Sequence, residues 1–132
     1  MKIIIGLPPE SKERPHFSNG HAYTPQKTRD YENAVRLIAR AQIREQLHGA
    51  ISAKINFYMP IPKSWSKAKQ EQAMSGEIRP TVKSDIDNLS KAILDALNGI
   101  AYADDKQIVE LTARKYYGKP RTEIWLQDIA SI

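Results

Sequence analysis

Residues 50 to 59 alternate apolar and polar side chains without a break, and no other segment narrows the fold as much. Ile51, Ala53, Ile55, Phe57 and Met59 fall on one side, and Ser52, Lys54, Asn56 and Tyr58 on the other. A side-chain period of two belongs to an extended strand with one face buried. Pro60 and Pro62 end it, because proline has no N–H to give a ladder. One long half-buried strand needs neighbouring strands and a covering layer.

The remaining segments supply both. Ile3 to Ile5 reads as a short strand, stopped by Gly6 and the pair Pro8-Pro9. Residues 10 to 24 are polar and contain Pro15, Asn19 and Gly20, which predicts a loop or an irregular hairpin. Thr24-Pro25 and Thr28 are helix starts. Tyr31, Ala34, Val35, Ile38 and Ala41 then recur at helical spacing, predicting a helix over about 28 to 48 closed by Gly49. Its opposite face would carry Arg36, Arg40 and Arg44 as a ladder four residues apart. A polar helix is expected over about 64 to 75, ended by Gly76, with only Trp65, Ala68 and Ala73 to bury. A third helix, from about 87 to 98, has Gly99 where a left-handed closing residue is expected. Strands around 107 to 117 and 121 to 130 follow, joined at Gly118-Lys119-Pro120. The expected fold is α+β: one domain over residues 1–132, a mostly antiparallel or mixed sheet covered by helices, in the order β-α-β-α-α-β-β.

A formal net charge of +5 favours a polyanionic partner such as nucleic acid. The absence of cysteine removes disulfides, thiolate nucleophiles and cysteine zinc sites. No apolar run approaches the roughly 18 to 20 residues that cross a bilayer, and the stretch from Met1 to Gly6 is short for a signal peptide. A cytoplasmic protein without membrane contact is expected. His16, His21 and His48 show no metal-ligand spacing.

The chemistry concentrates in two acidic segments, Ser84-Asp85-Ile86-Asp87-Asn88 and Tyr102-Ala103-Asp104-Asp105-Lys106. Residues two apart share a side only in extended chain, so Asp85 and Asp87 converge if they straddle a strand-to-helix junction. Within the helix Asp87, Lys91 and Asp95 share one face, opposite Ile86, Leu89, Ile93 and Leu97. If the second segment returns beside the helix start, several carboxylates meet. At an effective dielectric near 20, two unit charges about 4 Å apart repel by about 4 kcal/mol, so such a cluster needs a shared proton or a cation. All-oxygen ligands suit a hard ion, Mg²⁺ or Mn²⁺. Such an ion could activate water and stabilise a leaving alkoxide, with Lys91 as a point charge on a phosphate. The same residues also admit plain structural roles: a helix cap for Asp85 or Asp87, a turn at Asp104-Asp105, and a solvated Lys91.

The run Lys83-Ser84-Asp85-Ile86-Asp87-Asn88-Leu89-Ser90-Lys91, continuing through Asp95-Ala96-Leu97-Asn98-Gly99 and then Asp104-Asp105-Lys106-Gln107-Ile108, resembles the signature of the RusA family of Holliday junction resolvases. That signature reads roughly K-P-D-x-D-N-L-x-K-x-x-x-D-A-L-N-G, then D-D-x-Q-[IV] after a short gap. Met59-Pro60-Ile61-Pro62-Lys63-Ser64-Trp65 and, earlier, Arg14-Pro15 and Tyr23-Thr24-Pro25 are similar to further family segments. The resemblance implies a homodimeric, Mg²⁺-dependent endonuclease that nicks four-way DNA junctions and is often encoded by prophages. It implies Asp85, Asp87 and Asp105 as metal ligands, Asp104 as a further one, and Lys91 as the catalytic lysine. No small organic cofactor is implied. Ser84 departs from the proline or basic residue of many relatives.

Lys63, Lys67, Lys69, Arg79 and Lys83 flank the acidic segment and are the expected phosphate contacts, with Arg36, Arg40 and Arg44 as further candidates. Trp65 admits either base stacking or anchoring of its own helix. A non-catalytic branched-DNA-binding module, or a nuclease for another branched or single-stranded nucleic acid, would share most of these features.

Overall fold

The alternating residues lie at the centre of the sheet. The computed structural model describes residues 1–13, 16–81 and 83–129, with no side-chain description for His16. In chain order the elements are β1 (Lys2–Ile5), β2 (His16–Ser18), β3 (His21–Tyr23), α1 (Gln26–Arg40), β4 (Ile51–Met59), α2 (Lys67–Met74), α3 (Ile86–Ala96), a 3-10 turn (Asp105–Gln107), β5 (Ile108–Tyr117) and β6 (Arg121–Asp128). Arg14-Pro15, which carries part of the family resemblance, and position 130 at the expected end of the last strand lie outside the described residues.

The main sheet runs β1-β6-β4-β5, and β2 and β3 form a separate hairpin where a loop or irregular hairpin is expected. β4 is antiparallel to β6 but parallel to β5, so the sheet is mixed. The pairing slips by one residue between Ile51 and Ser52, which leaves Val109 as an extra residue in β5. One face is covered by α1 and α3. Ile51, Ile55 and Phe57 of β4 pack there with Ile3 and Ile5, Ile124 and Leu126, Tyr31 and Val35 of α1, and Leu89, Ile93 and Leu97 of α3. The α3 stripe is the expected one except Ile86, which is exposed. Among the described residues no helix is long and apolar enough to cross a membrane.

α1 ends eight residues before the expected position 48, which has a physical cause. Gln42 leaves the helix to serve β1: its Oε1 accepts from the N–H of Ile4 at 2.9 Å and its Nε2 donates to the carbonyl of Ile4 at 2.8 Å. A sheet edge is thereby satisfied by a side-chain amide rather than by another strand. Arg44 consequently lies beyond the helix, and the ladder of three arginines does not form. Arg36 points inward instead. Its Nη1 donates to the carbonyls of Ala96 and Asn98, at 2.8 and 2.9 Å, closing the C-terminal end of α3 where carbonyls lack helical partners. α2 starts three residues later and ends one earlier than expected, α3 runs from Ile86 to Ala96 and so starts one residue earlier and ends two earlier, and β5 and β6 sit close to their expected limits.

Arg36→Met should therefore destabilise the fold by on the order of 1–3 kcal/mol, since hydrogen bonds to a charged group are lost at a helix end. Arg40→Met, on the exposed face of the same helix, should stay within about 0.5 kcal/mol of wild type. Urea unfolding of both variants checks the contrast.

Candidate active site

α3 organises the acidic residues at its two ends. Asp85 occupies the N-cap position in extended backbone, yet its side chain caps no backbone N–H. Its recorded partner is the amide of Asn88, at 3.5 Å. Asp87 lies in the first turn, and its exposed side chain has no hydrogen bond or ion pair among the described residues. The approach to this end is tightly held. Lys83 takes a left-handed φ of 67°, uncommon for a residue other than glycine. The carbonyl of Ser84 accepts from Lys115 Nζ of β5 at 2.7 Å.

The other end is built by a folded loop. Gly99 takes a φ of 78°, and Tyr102, fully buried, donates its hydroxyl to the carbonyl of Leu94 at 2.7 Å. Asp104 caps the 3-10 turn by accepting from the N–H of Lys106 at 2.8 Å, and this bond holds its carboxyl below the usual range. Gln107 Oε1 accepts from the N–H groups of Ala103 and Asp104, each at 3.0 Å. Asp105 donates its own N–H to Asn98 Oδ1 at 2.8 Å, which turns its carboxyl toward Asp95. Burial, then hydrogen bonds to Asp95 and Asp104 and their charge, push the Asp105 carboxyl above the usual range. A carboxyl raised this way sits among too many negative oxygens, the condition a bound cation relieves.

A residue without a sequence signal completes this end. Lys12, in the segment between β1 and β2, places Nζ 2.7 Å from Asp95 Oδ2 and 3.0 Å from Glu32 Oε1. Its N–H also donates to the carbonyl of Asn88 at 3.1 Å, strapping the segment across α3. Burial pulls the ammonium down, but Asp95 and Glu32 outweigh it and hold Lys12 above its ordinary value. Glu32 thus serves Lys12. No periodicity marks a lysine in a polar loop, so only the tertiary fold reveals it.

Asp87, Lys91 and Asp95 stand in a row on α3, as their spacing predicts. The Lys91 side chain is 62% exposed, and its Nζ lies 3.9 Å from Asp95 Oδ2 rather than beside Asp87. At 1.5 Å per residue, Asp87 and Asp95 are separated by about 12 Å along the helix axis. Asp85 and Asp87 therefore stay apart from Asp105, which lies against Asp95. Among the described residues no three acidic or histidine side chains converge as a metal cage. Asp85 and Asp87 thus lie toward one end of α3 and Asp105 toward the other. What the chain presents is Asp85 and Asp87 at the N-terminal end of α3, Asp95 against Asp105 toward the other end, and an exposed ammonium between. Their all-oxygen chemistry suits a hard ion, and Mg²⁺ commonly takes only one or two carboxylates, with waters and substrate phosphates completing its shell.

The flanking basic residues divide by attachment. Lys63, Lys67 and Lys83 are exposed. Lys69 Nζ lies over the Trp65 ring, 4.0 Å from its centroid, and Trp65 meets Tyr117 edge-on at 5.2 Å. Trp65 is thus an anchor of its own segment. Arg79 donates Nε to the carbonyl of Lys115 at 2.7 Å and lies over Tyr116. Tyr116 stacks on Tyr58, and Arg121 covers Tyr58 on the far side, an arrangement that strand alternation alone does not disclose.

Lys12→Met should cost on the order of 1–3 kcal/mol at neutral pH, because it leaves two partly buried carboxylates without their donor. With its folded value raised, Lys12 contributes stability that is fully present below its unfolded value and lost as pH rises through the folded one. Chemical denaturation at increasing pH should find the gap between variant and wild type closing above about pH 10.5.

Residues 6–127 match the family described as Endodeoxyribonuclease RusA. The chain is also similar to the protein YqaN of Bacillus subtilis (strain 168), 37% identical over 139 aligned positions that cover 99% of this chain and 98% of the relative. A match over nearly the whole described domain, carried by a fold that places both acidic segments on α3 and its following loop, leads to one conclusion. The chain belongs to the RusA endodeoxyribonuclease family.

Proposed function

We propose that this protein is a metal-dependent endodeoxyribonuclease that resolves four-way DNA junctions by paired, symmetric nicks. The observation that carries this reading is the exposed Lys91 ammonium on α3, with Asp85 and Asp87 toward one end of that helix and Asp95 against Asp105 of the following turn toward the other. Family membership supplies the substrate class, a Holliday junction. Two nicks in strands of like polarity call for two sites related by a two-fold axis, and a homodimer provides them.

Mg²⁺, with Mn²⁺ as a substitute, would be held by carboxylates drawn from Asp85, Asp87 and Asp105, with Asp104 as a further candidate, and would supply an activated water and a counter-charge for the leaving oxygen. The chain's own residues do the rest. Lys91 positions a phosphate and offsets the charge that builds on its oxygens. Lys12 holds Asp95 in place beside Asp105. Lys63, Lys67, Lys69 and Lys83, with Arg79 held at the β5 edge, lie on segments leading to Asp85 and would contact the DNA backbone without reading sequence. Arg40 and Arg44 are available as further contacts, whereas Arg36 is occupied by α3.

The decisive experiment incubates the protein with a synthetic four-way junction, a linear duplex and a single strand, each with Mg²⁺ or with EDTA. Symmetric nicks on the junction alone, abolished by EDTA, are expected. Binding without nicks in Mg²⁺ would mark a branched-DNA-binding module instead.

Three substitutions sharpen it. Asp85→Asn should abolish nicking and leave junction binding largely intact, and Lys91→Ala should slow nicking by about 100-fold. Asp105→Asn should also abolish nicking while unfolding at a temperature equal to or above wild type. With its folded value raised, the Asp105 carboxyl favours folding when protonated, and that contribution is lost as pH rises through the folded value. At neutral pH a neutral amide removes the penalty. Thermal unfolding at pH 7 beside a nicking assay reads both effects.

A further inference from the structure

The two free edges of the four-stranded sheet are handled differently. At β1 the amide of Gln42 satisfies the backbone of Ile4. At β5 the direction of each backbone group follows from the ladder. Gly118, just past the strand, donates its N–H to Met59 of β4 at 3.0 Å, so the even-numbered residues face β4 and the odd-numbered ones face outward. The carbonyl of Lys115, an outward group by this count, accordingly accepts from Arg79. At the other end the slip at Val109 interrupts the regular strand.

Between these two limits residues 110–114 form an open run. The backbone groups of Leu111 and Ala113 point outward, with no hydrogen-bond partner among the described residues. Leu111 is 47% exposed although it sits on the helix-covered face. Neither Glu110 nor Arg114, both exposed, takes part in an ion pair among the described residues. Such an edge is a template for another strand.

The run is self-complementary. An antiparallel pair about a two-fold axis at Thr112 brings Leu111 opposite Ala113 of the second copy, and both exchange N–H and C=O groups. The same register sets Glu110 opposite Arg114 twice, and Thr112 opposite itself, in positions where side chains approach most closely. A one-residue shift of the axis loses the direct charge pairing.

We propose that residues 110–114 of β5 pair antiparallel with the same run of a second copy, joining two four-stranded sheets into one of eight strands. The inference deepens the homodimer assumed in the proposed function by naming its interface. An axis that makes antiparallel neighbours of two identical edge strands stands perpendicular to the sheet, so the helix layers of both copies share one side. Both copies of α3, with their Lys91 ammonium groups, then lie on one side of the joined sheet, as two nicks in one junction require.

The chain has no cysteine, so one engineered thiol reports directly on the register. Thr112→Cys should form a covalent dimer under mild oxidation, because opposed residues of this kind have Cα atoms about 4.5 Å apart, within disulfide reach. Leu37→Cys, exposed on α1, should not. Glu110→Arg should weaken dimerisation by about tenfold in analytical ultracentrifugation, with the far-ultraviolet dichroism unchanged, and adding Arg114→Glu should restore it. A wild type that is monomeric at micromolar concentration, a Thr112→Cys variant that cross-links no better than the α1 control, or a dimer indifferent to both charge changes would each overturn the pairing. Nicking of a four-way junction by wild type is scored separately: a dimer through β5 that never nicks leaves the interface standing and removes the proposed function, while nicking with an indifferent dimer does the reverse.

Discussion

The parallel pairing of β4 with β5 is the constraint on which the site depends. Antiparallel neighbours can be joined by a tight turn, but parallel ones require the chain to return to the end from which it started. β4 stops at Met59 and β5 begins at Ile108, so the residues between them must travel back over the sheet. α3 makes most of that return, and its eleven residues span about 16 Å. Its N-terminus is tied by Ser84 to Lys115 near the end of β5, and its C-terminus leads through Gly99 and Tyr102 to the start of the same strand. The element that buries Leu89, Ile93 and Leu97 therefore also sets the distance between the two acidic segments. Core and site are one structural decision here, and the separation of Asp85 from Asp105 is its direct consequence.

Local patterns carried much of the architecture. The alternation of 51–59, the α3 stripe and the turn at Gly118-Lys119-Pro120 each report a periodicity or a backbone requirement that neighbours alone impose, and each appears where its pattern predicts. Features decided by distant partners did not show in the sequence. Ile38 and Ala41 continue a helical spacing past Arg40, but the helix yields because Gln42 is recruited by the backbone of Ile4, 38 residues away in sequence. Arg36 reads as one rung of a basic ladder until α3 places two carbonyls beside it. The acidic strip was legible in part. Helical spacing put Asp87, Lys91 and Asp95 on one face, yet it could not show that Lys91 leans toward Asp95, or that Lys12 arrives from the N-terminal segment to hold the same carboxylate.

The electrostatics of that strip are arranged in opposition. Lys12 pairs with Asp95 at 2.7 Å, and the N–H of Lys106 favours the ionised form of Asp104. Asp105, between them, is pushed the other way by burial and by both neighbours. A chain optimised for stability alone would replace such a group, since a carboxyl with a raised folded value weakens the fold at neutral pH. Local conflict of this kind concentrates where function demands it. Asp85 and Asp87 tell the same story from the other end of the helix: they stand at a favourable dipole position, yet Asp85 caps no backbone N–H and Asp87 has no bonding partner among the described residues. Both are left available to something outside the chain.

The treatment of the sheet edges bears on how that availability is used. A four-stranded sheet has two exposed edges, and each invites unwanted pairing unless it is blocked. One is blocked by Gln42, while the other is closed by Arg79 at one end and interrupted by an extra residue at the other, with Leu111 and Ala113 open between. Blocking that stops on both sides of a short run differs from an edge that is merely unprotected, because it limits pairing to one length and, through Glu110 and Arg114, to one register. Register in turn fixes the axis, and the axis fixes how far apart two copies of α3 stand on their common face. A substrate with two-fold symmetry can be read by that spacing alone, with no base contacts. Selectivity for a branched shape would then reside in five residues of an edge strand and not in the residues that cut.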